Sequence, residues 1–598
     1  MMHKAAYRIL VSVSLFLFVS LLAVPVPVKA EKIGFTVNTP GDGTDYEDTD
    51  ITDDQCKTIY NNCSLRAAIQ QSNPSYMGTV VTIGFDLPSP SKITLASALP
   101  TLYANIIHGD TDRIIIDGNG FNGITAYGLD APTILGLQLQ NFASAAITYY
   151  VMGLGGSINN CVIIDNLNVG VAIRAHRDQS GELTLSNNYI GYDPISGIAK
   201  PNASHGIDIE IQENAHSDSI ISIGFGSKSV GNVISGNNGD GIRIFNERYD
   251  VPILIKGNYI GTSHDGTTAV GNSGAGIHVP LSLSSLIIGG DTDIGFDQGN
   301  VIAGNLNNGI DIYRSTTQTL IQGNSLSTNL ARTSYLPNTG LDITASDSSY
   351  MMIGGDTSDL SNVILNGIRV FGITVQNANL VIKRNFIGLT DTGFLRPTYS
   401  ATAGIYVDNL TGYPEISFNE ITKFSKGIVV GANSMVPILN NRIYDNSVLG
   451  IDLNNDGVTP NDDPPDADTG PNGLQNFPEI SNVEVTPVGS AKHIMFDLTL
   501  GAAPSTTYRI QVFSGPDCSP SGFGEGKKIF YQTSVTTDAN GYYEFNELEF
   551  WYPTNIIGPC LTATATLEDA VHYLATSEFS PGVMAWQPEK LFLPLIMK

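Results

Sequence analysis

Charged, imidazole and aromatic side chains recur at one position of a repeated segment in the middle of the chain. Each copy reads Gly-(Ile/Leu)-x-(Ile/Val/Leu), apart from a degenerate first copy at Gly170, and the residue at x changes from copy to copy. In chain order x is Ala172, Asp208, Arg243, His278, Asp311, Asp342, Arg369, Tyr406, Val429 and Asp452. Because the flanking apolar residues of such a strand point inward, x points to solvent. The sequence therefore predicts an outward row of side chains suited to acid–base chemistry.

Six members of this row are candidate catalytic residues: Asp208, Arg243, His278, Asp311, Asp342 and Arg369. If successive copies stack, Asp311 and Asp342 lie about one strand spacing apart, ~4.8 Å. Two carboxyl groups that close should raise the pKa of one of them, as a general acid requires. A plainer explanation stays open, because outward positions must be polar and Asp beside Arg or His gives ordinary cross-strand pairs.

The repeat also predicts the elements that position this row. An Asn-x-(Ile/Leu) segment occurs at Asn188, Asn232, Asn258, Asn300, Asn324, Asn362, Asn385, Asn419 and Asn441. The matching Gly segments begin at Gly206, Gly241, Gly276, Gly309, Gly340, Gly367, Gly404, Gly427 and Gly450. The last three glycines are 23 residues apart, an interval that suits one coil of three short strands.

Stacked coils would give each repeated residue a physical role. Isoleucines lie above isoleucines, so strands too short to bury a core alone bury one together. The Asn side chains form a ladder in which each amide donates to one neighbour and accepts from the other. The glycines are expected to supply left-handed or bulged backbone at the corners. A β-propeller would need antiparallel blades with hairpin signals, which the sequence lacks.

This pattern resembles the right-handed parallel β-helix of the pectate-lyase-like superfamily. The predicted fold class is all-β: a right-handed parallel β-helix with a small N-terminal cap containing a short helix and a C-terminal β-sandwich. Superfamily members that cut polysaccharides use an outer face of this kind, with carboxylates as acid–base groups or calcium ligands and, in lyases, an Arg or Lys base. The compact motifs of the pectin-degrading families are absent, and Ser204-His205-Gly206 only approximates one of them.

The first thirty residues are predicted to be a signal peptide. Lys4 and Arg8 precede the apolar run Ile9 to Val24, and Val28-Lys29-Ala30 offers a cleavage site. An uncleaved membrane anchor is the alternative, and no later stretch is apolar enough to span a membrane. The net charge of −27 disfavours nucleic acid as a partner. These features predict a secreted or cell-surface protein without a transmembrane span in the mature chain.

Composition divides the rest of the chain into five parts. Residues 31–75 are predicted to cap the first coil, 76–453 to form the β-helix, 454–476 an acidic linker, 477–587 a β-sandwich and 588–598 an apolar tail. The segment Cys63-Ser64-Leu65-Arg66-Ala67-Ala68-Ile69 resembles the N-terminal CSLREA module of secreted bacterial β-helix proteins, with Ala67 in place of its Glu. The tail either packs on the sandwich or serves as a sorting or anchoring tag.

The cysteines predict two disulfides. Cys56 and Cys63 lie together in the cap, and Cys518 and Cys560 lie in the sandwich, as an exported chain permits. Cys161 is left over and is expected to be a buried apolar filler.

The linker contains the first half of a calcium loop, Asp452-Leu453-Asn454-Asn455-Asp456-Gly457. Asp452, Asn454, Asp456, Asp463 and the Val458 carbonyl are the predicted calcium ligands. The twelfth position carries Asp463 where an EF-hand has Glu, and several prolines favour a bare acidic linker as the alternative.

Two classes of function follow from these patterns. The first is a non-catalytic exported protein, monomeric, that binds glycans or neighbouring surfaces along the β-helix. The alternative is a polysaccharide lyase or glycosidase that acts on an acidic polysaccharide through Asp311 and Asp342. Polysaccharides or cell-surface glycans are the predicted partners in both cases, and calcium is the predicted cofactor.

Overall fold

The computed structural model describes residues 34–75, 80–103, 105–109, 114–128, 132–151, 155–175, 181–212, 219–248, 251–290, 297–315, 317–372, 379–489, 491–553 and 558–585. The predicted signal peptide and apolar tail therefore lie outside the described residues. Within these ranges, no helix has both the length and the apolar character needed to cross a membrane.

Three long parallel sheets form the body of the molecule. The strands of the first sheet are Gly34–Val37, Val81–Phe85, Asn105–His108, Thr133–Leu135, Gly155–Asn159, Glu182–Ser186, Ile220–Ile223, Ile253–Ile255, Leu286–Gly289, Gln318–Gln322, Tyr350–Gly354, Asn379–Lys383, Glu415–Ser417 and Ile438–Leu439. Those of the second are Ser91–Thr94, Ile114–Asp117, Leu137–Gln140, Val162–Ile163, Tyr189–Ile190, Val233–Ile234, Tyr259–Ile260, Val301–Ile302, Ser325–Leu326, Val363–Ile364, Phe386–Ile387, Glu420–Ile421 and Arg442–Ile443. Those of the third are Ile124–Tyr127, Ile147–Val151, Val171–Ala175, Ile207–Ile211, Ile242–Asn246, Ile277–Ser282, Ile310–Ile312, Ile343–Ser346, Ile368–Phe371, Ser400–Asp408, Phe424–Val430 and Leu449–Leu453.

From the coil that begins with Asn105–His108 onward, each coil contributes one strand to each sheet, and each strand pairs in parallel with the strand one coil away. Isoleucines consequently stack on isoleucines, as Ile207, Ile242 and Ile277 do in the third sheet. One continuous core of buried apolar side chains runs from the cap through the coils to the sandwich. The predicted fold class is confirmed.

A C-terminal β-sandwich follows the last coil. Its first antiparallel sheet contains Glu479–Val488, Ala491–Gly501 and Tyr542–Pro553. Its second contains Lys528–Thr536, Thr507–Gly515, Cys560–Glu568, Tyr573–Thr576 and Val583–Met584. The two sheets share a second core, which includes Phe496, Ile510 and Val512.

An α-helix, Leu65–Ser75, packs against Gly34–Val37 and Val81–Phe85, the first two strands of the first sheet. Ser64 caps it, because its Oγ accepts the backbone N–H of Ala67 at 3.0 Å. The Arg66 guanidinium donates to both oxygens of Asp42, at 2.7 and 2.8 Å, and both side chains are buried. The short elements elsewhere are the hairpin Tyr192–Asp193 with Ile198–Ala199 and the 3-10 turns Thr44–Tyr46, Lys228–Val230, Ser358–Leu360 and Pro471–Leu474.

The predicted asparagine ladder is present and joins all nine predicted residues. Each Nδ2 donates to the Oδ1 of the Asn one coil further on, over 2.8–3.0 Å, from Asn188 to Asn441. A second ladder, which was not predicted, occupies another corner and consists of Asn166, Asn202, Asn237, Asn272, Asn305 and Asn338. These amides satisfy the buried polar groups of two corners.

The role predicted for most repeat glycines is wrong. Of the nine predicted glycines, Gly367 has a left-handed backbone, with φ +88°. Gly206, Gly241 and Gly276 do not. Glycine is required at these positions because neighbouring coils approach too closely to leave room for a side chain. A Cβ atom on Gly241 would lie 2.6 Å from the carbonyl oxygen of Gly276, and real Cβ atoms do not come that near. Gly224 and equivalent glycines supply the left-handed corners instead.

Both predicted disulfides are present. Cys56 pairs with Cys63, and Cys518 pairs with Cys560 across 42 residues of sequence. Cys161 is free and buried, as predicted.

Glu578 of the sandwich fixes the end of the last coil. Its carboxyl oxygens accept the backbone N–H groups of Leu453 at 2.8 Å and of Thr459 at 3.0 Å. Burial raises the pKa of Glu578 from its ordinary value of 4.5 to about 7, and the charges of Asp452 and Asp456 add to the rise.

We expect the β-helix and sandwich to be held together more stably as the pH falls from about 8 to about 5. The pKa of this carboxyl group is higher in the folded chain than in the unfolded chain, so its contribution to stability is complete below the unfolded pKa of 4.5. That contribution is lost as the pH rises through the folded pKa of about 7. Melting temperatures measured across this range test the expectation. Glu578→Gln cannot ionise and should flatten the profile, so an unchanged profile in that variant would contradict this account.

Candidate functional site

The predicted row lies on the third sheet, in the predicted order apart from Asp342. Val429 and Asp452 keep their register at its end but are buried, so the outward orientation predicted for them is wrong. Strand register places Asp208 beside Arg243, Arg243 beside His278 and His278 beside Asp311. Further along the sheet, Arg369 lies beside Tyr406. The outer face of the third sheet is therefore the candidate functional site.

Asp342 does not belong to this row, so the predicted pairing of its carboxyl group with Asp311 is wrong. Asp311 stands beside Thr344, whose hydroxyl donates to its Oδ1 over 2.5 Å. In this coil Asp342 takes the place that glycine holds in other coils, because Ile310 donates to its carbonyl oxygen as Ile277 does to that of Gly309. The repeat is thus displaced by two residues relative to the prediction.

The Asp342 carboxyl group has a structural role at the second corner. It is fully buried and accepts hydrogen bonds from Ser327 Oγ, Asn338 Nδ2 and the backbone N–H of Asn366, at 2.5, 3.0 and 2.8 Å. Burial raises the pKa of Asp342, against the effect of these hydrogen bonds. The carboxyl group terminates the second ladder, since Asn338 is the last amide in it.

Two arginines bracket one carboxylate on the outer face. Arg174 donates to Asp208 Oδ2 at 2.7 Å, and Arg243 donates to Oδ1 of the same carboxylate at 2.8 Å. Arg174 also lies 3.5 Å from Glu210. These charge-assisted contacts fix the guanidinium groups on the surface of a shallow cavity of about 430 Å³.

A histidine pair surrounds Asp240, which lies at the edge of the same face. His278 Nδ1 lies 3.1 Å and His205 Nδ1 3.2 Å from Asp240 Oδ2. Burial alone would raise the pKa of Asp240, but hydrogen bonds with the two histidines and with the Ala275 N–H hold it below its usual range. The bond to Asp240 in turn raises the pKa of His278, despite partial burial of the ring.

Tyrosines extend the face toward the N-terminus. Tyr103, Tyr127 and Tyr150 stack with ring centroids 5.6 and 4.6 Å apart and interplanar angles of 17° and 10°. Tyr150 then stands in register with Arg174, so the stack leads directly into the arginine–carboxylate cluster.

These tyrosines belong to a second outer row, two residues beyond the predicted one along each strand. In chain order it contains Tyr127, Tyr150, Arg174, Glu210 and Phe245. Alternation along a strand makes the second residue after x point outward as well. Reading that position would have found the aromatic side chains from the sequence.

Aromatic groups also accompany Arg369 on later coils. Its guanidinium carbon lies 5.4 Å from the Phe371 ring centroid and 5.1 Å from that of Tyr406. A cavity of about 350 Å³ lies between His278, Asp311 and Phe371, and Tyr313 at its edge is 60% exposed. The face thus alternates aromatic surface with fixed polar groups along its length.

Three of the residues predicted to bind calcium have partners within the protein. Asp452 is fully buried, and Lys426 Nζ lies 2.6 Å from its Oδ2. Asn454 Nδ2 donates to Asp456 at 2.8 Å. In the described ranges, no three acidic, histidine or cysteine side chains form a group that could hold a metal ion. Calcium binding through Asp452, Asn454, Asp456, Asp463 and the Val458 carbonyl stays a prediction.

Comparison with known proteins identifies no family. No family model matches the chain. No curated protein matches it either.

Solved structures of phage tailspikes resemble the chain weakly. The enzymatically active domain of tailspike protein 2 from bacteriophage CBA120 is 10% identical, with a TM-score of 0.26 over 84% of this chain and 72% of that one. Full-length tailspike protein 2 from an Escherichia coli O157:H7 bacteriophage is 11% identical, with a TM-score of 0.28 over 80% and 64%. Tailspike gp49 from the Acinetobacter baumannii bacteriophage Fri1, described as a capsular polysaccharide depolymerase, is 9% identical, with a TM-score of 0.26 over 93% and 87%. At these TM-scores the likeness bears on neither activity nor ligand.

Proposed function

We propose that the protein binds polysaccharide or cell-surface glycan chains along the outer face of the third sheet. The observation that carries this proposal is the stack of Tyr103, Tyr127 and Tyr150, which continues in register into Arg174 and its partner Asp208. Sugar rings present apolar faces to aromatic side chains, while their hydroxyl groups bond to guanidinium and carboxylate groups. Repetition from coil to coil suits a ligand that is itself a repeating chain.

The two disulfides support a location outside the cell. Disulfides persist in oxidising compartments and are rare in the cytosol. The arginine cluster has a low net charge, because the carboxylates of Asp208 and Glu210 together balance the charges of Arg174 and Arg243. This balance favours recognition of hydroxyl groups over recognition of strong anions.

We expect the double variant Tyr127→Ala/Tyr150→Ala to bind its glycan at least about tenfold more weakly than the wild type. Truncation of a central aromatic contact costs about 2 kcal/mol or more, and each 1.4 kcal/mol is about tenfold in Kd. A glycan array would identify the ligand and calorimetry would measure the affinity. Tyr542→Ala removes a tyrosine that is 54% exposed on the sandwich and should leave Kd unchanged. Equal losses in both variants, or none in the first, would refute the proposal.

Cleavage of the bound chain is the second candidate function, and the pairing of His278 with Asp240 favours it. The carboxylate orients the imidazole through Nδ1, and the side chain remains 34% exposed. With its pKa raised by Asp240, His278 can hold a proton near neutral pH and donate it to a leaving oxygen. Asp311, the next residue in the row, is the neighbouring carboxylate.

If the protein cleaves its ligand, His278→Gln should lower turnover by about a hundredfold or more, the usual contribution of a general acid or base. Reducing-end assays and absorbance of unsaturated products would detect hydrolysis and elimination respectively. Binding measured by calorimetry should persist in this variant, since the tyrosine stack is unchanged. Absence of product from the wild type on every glycan that it binds would exclude this second function.

A further inference from the structure

A separate crevice lies where the last coils meet the sandwich. It encloses about 700 Å³. Leu389, Leu395 and Tyr399, from the hairpin after one coil, form one wall, and the sandwich loop that contains Cys518 forms the other. We call this space the junction cleft. It opens beside the second sheet, whose last two strands carry Glu420 and Arg442, and not on the outer face of the third sheet.

One wall of the junction cleft presents exposed apolar and aromatic surface. Leu395 is 42% exposed and Tyr399 is 47% exposed. The Tyr399 hydroxyl donates to Asp445 Oδ1 over 2.5 Å, and Lys423 Nζ lies 4.7 Å from the ring centroid. These contacts fix the ring in place, so a ligand that packs on it need not order it first.

The floor of the junction cleft is polar, and two of its carboxylates are paired within the protein. Asp517 and Lys527 also line the cleft, with Lys527 Nζ 4.4 Å from the Tyr444 ring centroid. Glu420 accepts Arg442 at 2.9 Å and the Tyr444 hydroxyl at 2.7 Å. Asp445 lies 2.6 Å from Lys423 Nζ. Carboxylates that already have a cationic partner keep lone pairs that can accept hydroxyl groups. The floor therefore suits a neutral, hydroxyl-rich ligand better than an ion.

Glu525 reaches into the junction cleft from the sandwich. Its two oxygens lie 3.1 and 3.2 Å from the backbone nitrogen of Asn446 and accept its N–H. Burial raises the pKa of Glu525 to about 7, so the group is partly protonated at neutral pH. A protonated carboxyl group can donate a hydrogen bond as well as accept one.

We propose that the junction cleft binds a neutral saccharide unit, such as a terminal hexose or N-acetylhexosamine. The fixed Tyr399 ring and the leucines receive the apolar face of the sugar. Glu420 and Asp445 receive its hydroxyl groups. This site is distinct from the outer face and does not depend on the function proposed for that face.

Saturation-transfer NMR on the folded full chain tests this proposal with three probes: the methyl glycosides of glucose, galactose and N-acetylglucosamine. At least one should receive saturation, and Tyr399→Ala should weaken its binding at least about tenfold, a loss of about 1.4 kcal/mol or more. Tyr542→Ala is the matched control for an exposed tyrosine outside the cleft. Repeating the comparison in the Tyr127→Ala/Tyr150→Ala background removes the tyrosine stack of the outer face, so a loss caused by Tyr399→Ala in that background is assigned to the junction cleft.

Other outcomes overturn the proposal. One is the absence of saturation transfer to all three glycosides; another is transfer that Tyr399→Ala does not alter. Tighter binding of the charged methyl glucuronide than of methyl glucose would contradict the selectivity for neutral sugars. A folding defect in Tyr399→Ala would show in its melting temperature, and Leu395→Ala then provides the second test, with the same expected loss.

Discussion

Replacing Asn300 by alanine should lower the free energy of unfolding by about 3 kcal/mol or more. Asn300 is fully buried in the first ladder. Its Nδ2 donates to Asn324 Oδ1 at 2.9 Å and to the Ile255 carbonyl at 2.8 Å. Its Oδ1 accepts the backbone and side-chain N–H groups of Asn258 at 2.9 and 3.0 Å. Alanine would leave these partners buried without hydrogen bonds, at about 1–3 kcal/mol for each unsatisfied group.

Two further variants separate the hydrogen bonds from simple loss of volume. Asn300→Asp keeps the shape but puts an acceptor where Nδ2 donates, so we expect it to destabilise the protein at least as much. Asn307→Ala changes an exposed asparagine of the following turn and should shift the free energy of unfolding by less than about 0.5 kcal/mol. Denaturant unfolding followed by circular dichroism measures all three. A change below about 1 kcal/mol for Asn300→Ala would show that the ladder contributes little to stability.

Removal of the Cys518–Cys560 disulfide should destabilise the sandwich by about 4 kcal/mol. The bond closes a loop of 42 residues, and the loss of loop entropy in the unfolded chain gives this magnitude. The 7-residue separation of Cys56 and Cys63 gives a smaller effect on the cap, about 2 kcal/mol. Both disulfides lie outside the described coils, where Cys161 is a free, buried thiol. Reductant should therefore leave the middle of the β-helix unchanged.

Limited proteolysis with mass spectrometry, with and without reductant, locates these effects. Cleavage should begin in the sandwich and the cap, while strands such as Ile277–Ser282 stay protected. The double variant Cys518→Ala/Cys560→Ala should reproduce the effect in the sandwich alone. If the coils become cleavable first, or the double variant unfolds at the wild-type denaturant concentration, the entropic argument does not apply to this protein.

The sequence predicts the first ladder and most of the outer row because both depend on local periodicity. Every ladder residue precedes an apolar strand residue in the same way, so Asn300 and Asn324 identify their own positions without knowledge of the coil lengths. The alternation of strands likewise places Asp208, Arg243 and His278 outward. Neither inference requires knowing how long the intervening loops are.

The prediction put Asp342 in the outer row because the repeat around it can be aligned in two ways, two residues apart, and both preserve the alternation of the strand. Gly340-Leu341-Asp342-Ile343 matches the consensus by residue type, whereas the strand register aligns Asp342 with the repeat glycine. The decisive interaction is the bond from Asn338 to Asp342, which belongs to the second ladder. Asn237 and Asn272 stand four residues before Gly241 and Gly276, as Asn338 stands four residues before Asp342. This spacing would have corrected the register.

The pairing of His278 with Asp240 could not be predicted from the sequence. The two residues are 38 positions apart, on adjacent coils that carry an insertion between them. Whether the side chains meet depends on the path of that insertion, which has no periodicity. The junction cleft could not be predicted from the sequence either, because it depends on how the sandwich docks against Asn446.

In the three sheets and the two asparagine ladders each coil pairs with the coils before and after it, and this has an evolutionary consequence. Duplication or deletion of one whole coil, for example the 23 residues from Gly404 to Gly427, would preserve both asparagine pairing and isoleucine stacking. Such an event changes the length of the molecule by one strand spacing, about 4.8 Å, and leaves the cap and the sandwich as they are. The length of the outer face of the third sheet can therefore grow or shrink in unit steps through single recombination events, with no simultaneous change at either end.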